Sequence, residues 1–332
     1  MRKACIDMVY ELAKRDNRVV FVGSDLGPGI LDDMKREMPD RFYMEGVSEQ
    51  SIIGMAAGLA MEGYLPYVNT IATFITRRCY EQVAVDLCLH DLPVRLIANG
   101  GGLVYAPLGP THLAIEDIAI LRALPNMTVT AAADAEEMRR LMAATLDWPH
   151  PVYIRLGKGG DPVVTRAGDA FAIGKAIALR PAGDVVMIAT GVMTGRALQA
   201  ADIMAKDGVR CGVLHVHTVK PLDAEAVLAA AAGASLVVTL EEHVLSGGLG
   251  GAITELFADR LSGSAPRVLR LGIPDRFPNE YGSQDSMLET FGLQPQQVAE
   301  AVVNVLDAAT GLVGRRLPTA RRAASADETA GR

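Results

Sequence analysis

Residues 65–98 read LPYVNTIATFITRRCYEQVAVDLCLHDLPVRLIA and predict a strand, a helix and a second strand. The apolar runs at 65–69 and 93–98 have the length and the Val, Leu and Ile content of buried strands. Residues 77–90 between them are long enough for a helix of about four turns. Because two parallel strands need a crossover of a dozen or more residues, this order predicts a β–α–β unit in a parallel sheet.

The same alternation continues on both sides of this unit. Further strands are predicted at 18–23, 127–130 and 152–155, and further helices at 52–61, 113–123 and 134–147. Alternating strands and helices predict an α/β layer fold. Ligands bind outside the carboxyl ends of the strands in such sheets, so we expect the chemistry in the loops that follow them.

A glycine-rich stretch divides the chain. Residues 157–168, GKGGDPVVTRAG, have the composition of a domain linker, and the alternation restarts after them. Strands are predicted at 184–189, 210–216, 235–240 and 268–271, and helices at 194–206, 223–232, 247–261 and 295–309. We predict two α/β domains with mainly parallel sheets flanked by helices, at 1–156 and 183–310, a linker at 157–182 and a flexible tail at 311–332.

Composition excludes several classes of protein. The 332 residues carry a net charge of −7, which argues against non-specific nucleic-acid binding. The longest uncharged runs are broken by Gly or Pro, so we expect no membrane span. Asp7 falls where a signal peptide needs its apolar segment, and four cysteines lack CxxC spacing. We therefore expect a cytoplasmic protein with reduced thiols.

Glu49 is the first candidate for chemistry. It lies within GVSEQS at 46–51, just before the predicted helix at 52–61, and Ser48 can cap that helix. One interpretation is a carboxylate that complements the helix dipole. The other starts from the helix itself, IIGMAAGLAM, which is apolar almost all round and hence expected to be buried. A carboxylate entering such an interior needs a partner or a proton, so Glu49 is a candidate proton-handling group.

His112 is the second candidate. It ends a long Gly- and Pro-rich loop, GGLVYAPLGPTH at 101–112, which follows the strand predicted at 93–98. A lone histidine is often structural. Catalytic groups nevertheless concentrate in loops at the carboxyl ends of strands, so both interpretations stay open.

Other features carry less chemistry. We expect Phe74 to pack in the hydrophobic core. The turn at 23–29 lacks the spacing of a nucleotide-binding loop, and the glycines at 247–251 either hold an anion at a helix start or form a structural turn. No Cys or acidic residue at ligand spacing joins His215 and His217, so we expect no metal site there.

Taken together and in order, these pieces resemble the thiamine-diphosphate transketolase family over about residues 1–310. The similar segments are EGVSEQ at 45–50, ATF at 72–74 with Arg77, LGPTH at 108–112, LRALPNM at 121–127, VKPLD at 219–223 and LEEH at 240–243. Residues 80–95 look especially like 1-deoxy-D-xylulose-5-phosphate synthase. The length resembles the C-terminal half of a split transketolase.

The resemblance implies a pyrimidine-binding domain followed by a transketolase C-terminal domain. The family holds Mg²⁺ and the cofactor diphosphate through a Gly-Asp-Gly motif, which this sequence lacks. The resemblance therefore implies a partner, an N-terminal transketolase subunit that carries the diphosphate-binding domain. The two subunits would form an α₂β₂ assembly with the active site between them.

The resemblance also implies roles for single residues. Glu49 matches the glutamate that bonds the aminopyrimidine ring and so promotes loss of the thiazolium proton. Phe74 matches the aromatic residue that stacks on that ring, and Arg77 a neighbouring residue of the pocket. His112 matches the histidine that hydrogen-bonds the bound sugar. Arg155 matches an arginine that reads an acceptor phosphate.

The sequence departs from the family at the expected acceptor site. Leu108 stands where the family has an aspartate that reads a sugar hydroxyl, which implies an acceptor that differs at that carbon. Gly100 and Gly101 occupy positions where relatives carry His or Asp and Arg, side chains that help hold the substrate or its phosphate.

Three hypotheses for function follow. The first is the smaller subunit of a split transketolase, which moves a two-carbon ketol unit from a ketose to an aldose through a thiamine diphosphate carbanion. The second is pyruvate decarboxylation, as in 1-deoxy-D-xylulose-5-phosphate synthase or the β subunit of 2-oxo-acid dehydrogenases. The third is a non-catalytic scaffold or regulatory subunit.

Overall fold

The computed structural model describes residues 1–24, 29–166, 168, 170–261, 263 and 265–310. The predicted tail at 311–332 lies outside the described residues, as does most of the glycine-rich turn predicted at 23–29. The two predicted domains each contain their own sheet, with helices packed on its faces.

The first half of the chain alternates strands and helices. Its strands are β1 (Val19–Gly23), β2 (Phe42–Met44), β3 (Leu65–Ile71), β4 (Arg95–Asn99), β5 (Thr128–Ala131) and β6 (Val152–Leu156). Its helices are α1 (Arg2–Arg15), α2 (Asp32–Glu37), α3 (Glu49–Met61), α4 (Tyr80–Gln82), α5 (Asp117–Arg122) and α6 (Ala135–Thr145).

The second half repeats this pattern. Its strands are β7 (Ile177–Arg180), β8 (Val185–Ala189), β9 (Cys211–His215), β10 (Thr218–Lys220), β11 (Leu236–Val244) and β12 (Arg267–Ile273). Its helices are α7 (Met193–Ala205), α8 (Ala224–Ala231), α9 (Leu249–Arg260), α10 (Gln284–Thr290) and α11 (Pro295–Thr310).

Within the described residues, the first sheet has seven strands in the order β10-β5-β6-β4-β3-β1-β2. Strands β1 to β6 run parallel, with Val68 of β3 between Val22 and Leu96 of its neighbours. The strands are Val- and Ile-rich because helices cover both faces of the sheet. The parallel arrangement places the carboxyl ends of β1, β3 and β4 side by side, and the candidate site lies there.

The second sheet has five strands among the described residues, in the order β12-β11-β8-β9-β7. It is parallel except for β7, which runs antiparallel to β9. Strand β7 (Ile177–Arg180) falls inside the stretch 157–182 that the sequence predicts as a linker. That prediction is wrong for these four residues, because they pair with β9 instead of spanning between domains. Residues 157–166 contain no helix or strand.

One strand of the second half joins the first sheet. Strand β10 pairs antiparallel with β5, so that Thr218 lies opposite Thr130. The two halves are thus connected by backbone hydrogen bonds as well as by packing. Burial of apolar side chains is the main stabilising contribution in both halves. The four free cysteines Cys5, Cys79, Cys88 and Cys211 are buried.

Two predicted helices differ from the structure. The helix expected at 77–90 is interrupted: Phe74–Arg78 and Val83–Leu89 form wider π-helical turns around the single turn α4. The helix expected at 113–123 is confined to α5, because Ala114 forms β-bridges with Gly101 and Gly102 and holds its neighbours extended. Such π turns are frequent at functional sites.

Candidate active site

A row of buried polar side chains lies at the carboxyl ends of the central strands. Ser24 follows β1, and its hydroxyl donates to Thr70 Oγ1 of β3 at 2.7 Å. The Thr70 hydroxyl in turn donates to Glu49 Oε1 at 3.4 Å. Asn99 Nδ2 of β4 donates to Asn69 Oδ1 at 3.2 Å. These groups place hydrogen-bonding capacity where parallel sheets bind ligands.

Glu49 occupies the first turn of α3 and is 2% exposed. The carboxylate therefore lies at the positive end of the helix dipole and is also buried, the two features from which the two sequence interpretations start. The predicted cap by Ser48 is wrong: its hydroxyl donates to the Glu45 carbonyl at 3.1 Å. Helix α3 is also not buried all round, because Gly54 and Gly58 lie on an exposed face.

Arg78 is the main partner of Glu49. Its Nη1 lies 2.6 Å from Glu49 Oε2. The same guanidinium lies over the ring of Phe74, with Cζ 4.1 Å from the ring centroid. The side chain of Arg78 is 42% exposed, so this ion pair joins a buried carboxylate to a half-exposed cation. The sequence reasoning missed Arg78, and only its adjacency to Arg77 could have drawn attention to it.

Phe74 also contacts His112. The two rings meet edge to face, with centroids 5.3 Å apart. His112 ends the 3₁₀ turn Pro110–His112, and its Nδ1 lies 2.9 Å from Thr111 Oγ1. The expected residues Glu49, Phe74 and His112 therefore belong to one cluster, in which Arg78 links Glu49 to Phe74 and Phe74 contacts His112.

Arg77 points elsewhere. Its guanidinium forms an ion pair with Glu116 and donates to the Leu113 carbonyl. These contacts fasten the π-helical turn that carries Phe74 to the loop that follows His112. Arg77 thus borders the cluster, and its guanidinium positions the two segments of chain on which the cluster depends.

Arg155 does not face the cluster. Its Nε donates to Asp117 Oδ2 at 2.7 Å, and its Nη2 donates to Asp117 Oδ1 and to the carbonyls of Ala114 and Glu242. Burial opposes ionisation of Asp117, but the Arg155 charge outweighs it and lowers the pKa of that carboxyl. The expected role of Arg155 in reading an acceptor phosphate does not fit this geometry, because the side chain is 7% exposed and already paired.

The two glycines that depart from the family pattern, Gly100 and Gly101, have a physical explanation here. A Cβ atom on Gly101 would lie 2.5 Å from Cγ of Arg155, and one on Gly100 would overlap the Tyr105 ring. Both glycines are therefore required by the side chains packed against them. Leu108 is 50% exposed and lies at the open side of the loop.

The glycine-rich turn at 247–251 does hold an anion, one supplied by the chain itself. The Glu241 carboxylate accepts hydrogen bonds from the backbone amides of Leu249 and Gly250 at the start of α9, at 2.7 and 2.8 Å. Burial raises the pKa of Glu241 to about 7. This carboxylate occupies the anion site that the sequence left open.

His215 and His217 have separate protein partners. His215 Nε2 lies 2.7 Å from Glu137 Oε2, and His215 Nδ1 lies 2.7 Å from Thr194 Oγ1. His217 stacks on Phe171, with ring centroids 4.3 Å apart. Across the part of the chain that the structure describes, no group of three His, Cys, Asp or Glu side chains could hold a metal ion. No helix in that part is long and apolar enough to cross a membrane.

Two protein families match the chain. The transketolase pyrimidine-binding domain matches residues 1–160, and the transketolase C-terminal domain matches residues 174–298. The first match ends shortly after β6, and the second begins just before β7.

Individual relatives match nearly the whole chain. The 6-deoxy-6-sulfo-D-fructose transketolase subunit of Clostridium sp. (strain MSTE9) is 36% identical over 309 residues, which are 92% of this chain and 94% of that one. The 1-deoxy-D-xylulose-5-phosphate synthase of Heliobacterium modesticaldum is 35% identical over 305 residues, but this chain spans only 46% of its length.

A solved structure matches as well. A split gene transketolase, described as an inactive β4 tetramer, is 33% identical with a TM-score of 0.83, covering 92% of this chain and 97% of that one. In length and sequence the chain therefore corresponds to the β-type subunits of split transketolases. The matches to both domains and across nearly the full length show that the chain belongs to the transketolase family.

Proposed function

We propose that this chain is the smaller subunit of a split transketolase and transfers a two-carbon ketol unit from a ketose to an aldose with thiamine diphosphate. The observation that carries the proposal is the convergence of Glu49, Phe74 and His112 on one edge of the first sheet. The Clostridium relative, a transketolase subunit for a sulfonated sugar, supports this reaction class.

The residues present fit the pyrimidine end of the cofactor. Thiamine diphosphate, when bound, supplies a nucleophilic carbon for breaking and making carbon–carbon bonds beside a carbonyl. Glu49 offers a buried carboxyl group that can share a proton with a ring nitrogen, and Phe74 offers a half-buried aromatic face. Thr70 holds one carboxylate oxygen, which fixes the direction of the other.

His112 is suited to bind the sugar. Its Nδ1 is engaged with Thr111 Oγ1, whereas Nε2 has no hydrogen-bond partner among the residues described. A half-buried imidazole with one free ring nitrogen can donate to, or accept from, a hydroxyl or carbonyl oxygen of the substrate. The edge-to-face contact with Phe74 keeps this nitrogen beside the pyrimidine pocket.

We propose that a second polypeptide holds the diphosphate and its Mg²⁺. Within the described residues no carboxylate cluster is arranged to ligate a metal, and the sequence has no Gly-Asp-Gly motif. The split-gene relative is described as an inactive β4 tetramer. We propose an α₂β₂ complex in which an N-terminal transketolase subunit binds the metal and the diphosphate.

The test is reconstitution. Co-expression with the neighbouring reading frame is expected to yield a complex that transfers ketol units in the presence of thiamine diphosphate and Mg²⁺. Glu49→Ala is expected to leave folding intact and to abolish that turnover. A complex that binds no thiamine diphosphate and transfers no ketol unit would contradict the proposal and favour a scaffold or regulatory subunit.

A second candidate keeps the cofactor and changes the donor. The similarity to 1-deoxy-D-xylulose-5-phosphate synthase covers 91% of this chain and favours pyruvate as a donor. Release of carbon dioxide from pyruvate by the same complex, without ketol transfer from a ketose, would establish this alternative.

A further inference from the structure

The guanidinium of Arg78 occupies a distinctive position. It lies on the face of the Phe74 ring, with Cζ 4.1 Å from the centroid, and it also bonds the buried Glu49 carboxylate through Nη1 at 2.6 Å. One flat group thus satisfies an aromatic face and a carboxylate at once. No other residue makes both contacts among those that the structure describes.

The chemistry of a guanidinium resembles that of an aminopyrimidine. Both are planar and delocalised, and both stack on an aromatic ring. An aminopyrimidine protonated on its ring also presents an N–H donor to a carboxylate, as a guanidinium does. The position that satisfies Arg78 is therefore also a position that satisfies the heterocycle proposed to bind Glu49 and Phe74. Two such groups cannot occupy the same face of Phe74 together.

We propose that Arg78 is an internal substitute for the aminopyrimidine. Its guanidinium pairs with Glu49 and stacks on Phe74 until the cofactor binds, and it must leave this position for binding to occur. This inference rests on the proposed function, since it takes Glu49 and Phe74 as the pyrimidine pocket. Arg78 then lowers the affinity for the cofactor. Before the cofactor binds, Arg78 is a positioning residue for the Glu49 carboxylate.

The structure explains why such a substitute is useful. A carboxylate that is 2% exposed is costly to leave without a charged or hydrogen-bonding partner. Thr70 supplies only one hydrogen bond at 3.4 Å, so most of the compensation comes from Arg78. Arg78 stabilises the Glu49 carboxylate without blocking the face of Phe74 permanently, because the Arg78 side chain is 42% exposed and can move into solvent.

The consequence is a competition that can be measured. Binding of an aminopyrimidine must displace Arg78. The observed dissociation constant is therefore raised in proportion to the population in which Arg78 is paired with Glu49 and stacked on Phe74. A half-exposed ion pair and a cation–π contact together correspond to about a tenfold effect on that constant. Removal of the guanidinium is expected to tighten binding by this factor, equivalent to about 1.4 kcal/mol.

The test uses the full chain and the free heterocycle 4-amino-2-methylpyrimidine as the probe. Its dissociation constant is measured by calorimetry for the wild type, Arg78→Ala and Arg78→Lys, alongside the melting temperature of each. Lysine keeps the charge but lacks the flat guanidinium, so an intermediate affinity is expected. Arg36→Ala is the matched control, because Arg36 forms an exposed ion pair with Asp33 on α2.

The outcomes separate the inference from a structural role. Arg78→Ala is expected to lower the melting temperature of the empty chain, to bind the probe about tenfold more tightly and to recover more stability on binding. The control should match the wild type. Equal or weaker binding by Arg78→Ala, or no binding by either chain, would overturn the inference.

Failure of the proposed function has a different signature. In that case the reconstituted complex would bind no thiamine diphosphate with either Arg78 or alanine at this position. If instead the wild-type complex binds the cofactor and Arg78→Ala leaves its affinity unchanged, the function stands and only the role of Arg78 is wrong.

Discussion

Arg155 and Asp117 form a buried bidentate ion pair, with Nε 2.7 Å from Oδ2 and Nη2 3.0 Å from Oδ1. The Tyr153 hydroxyl donates to the same carboxylate at 2.6 Å. Because Arg155 Nη2 also donates to the Glu242 carbonyl of the second half, the pair connects the two sheets. An arginine in this position stabilises the junction and is not available to a substrate phosphate.

Arg155→Met is therefore expected to destabilise the chain. Asp117 would be left as a buried charge without its cation, which costs about 3–5 kcal/mol when a buried pair loses one partner. The free energy of unfolding in urea measures this loss. The double variant Arg155→Met/Asp117→Leu should recover much of it, since no buried charge remains. A loss below about 1 kcal/mol, together with a raised KM for phosphorylated sugars only, would restore the phosphate-reading role.

Leu108 is expected to set acceptor choice. Leu108→Asp places a carboxylate at the open side of the loop, where it can accept a hydrogen bond from an acceptor hydroxyl. Hydrogen bonds to charged groups correspond to about 10- to 100-fold in discrimination. The ratio of kcat/KM for acceptors with and without that hydroxyl should shift accordingly. Val163→Asp, an exposed apolar residue in the stretch before β7, is the control and should leave the ratio unchanged.

His112→Ala should impair turnover without affecting the fold. The free ring nitrogen is expected to bond the substrate, so its removal should lower kcat/KM for the ketose about 10²-fold or more. Affinity for thiamine diphosphate should stay near that of the wild type, because the pyrimidine pocket keeps Glu49 and Phe74. His150→Asn is the control, since His150 pairs with Asp91 on the surface. Normal turnover by His112→Ala would exclude this role.

His243 predicts a pH dependence of stability. Its Nδ1 donates to the Val244 carbonyl at 2.7 Å, and its Nε2 accepts from the Ala119 amide, so the buried ring must be neutral. Burial lowers the pKa of His243 to about 4, below the 6.5 of an exposed histidine. Its stabilising contribution is complete above pH 6.5 and is lost as the pH falls towards 4. The loss corresponds to about 3 kcal/mol.

The measurement compares the free energy of unfolding of the wild type and His243→Gln between pH 4.5 and 8. Glu241 acts in the opposite direction, because its raised pKa makes stability fall as the pH rises towards 7. The difference between the two proteins removes this common contribution. The variant should show a smaller loss of stability on acidification. Identical pH profiles would show that His243 does not titrate as described.

The central strands could be predicted because they are buried on both faces. Residues 65–68 and 152–154 are continuous apolar runs, and they lie in the buried strands β3 and β6. The short edge strands β2, β7 and β10 have three or four residues and carry no such pattern. The pairing of β10 with β5 depends on how the two halves of the chain pack together, which the local sequence pattern of neither strand indicates.

The residues of the candidate site also differ in how far the sequence could predict them. The motifs singled out Glu49, Phe74 and His112 as candidates, and the fold brings these residues, far apart in sequence, to one edge of the first sheet. Arg78 could not be separated from Arg77, because their directions depend on a π-helical turn that has no simple periodicity. Motif matching also could not show that Arg155 is enclosed by Asp117, since that contact arises only in the packed interior.

The remaining prediction concerns Glu49, the carboxylate of the proposed pyrimidine pocket. Glu49→Gln keeps the shape of the side chain but cannot act as a carboxylate towards the heterocycle. The complex with Glu49→Gln is expected to fold, to bind its partner subunit and to lose about 10²- to 10⁴-fold in ketol transfer, the range of a positioned proton-handling group.

The most direct measurement is hydrogen–deuterium exchange at the thiazolium carbon of thiamine diphosphate bound to the reconstituted complex. The account predicts rapid exchange in the wild type and exchange near the rate of the free cofactor in Glu49→Gln. Equal, rapid exchange in both complexes would contradict the claim that this buried carboxylate activates the cofactor.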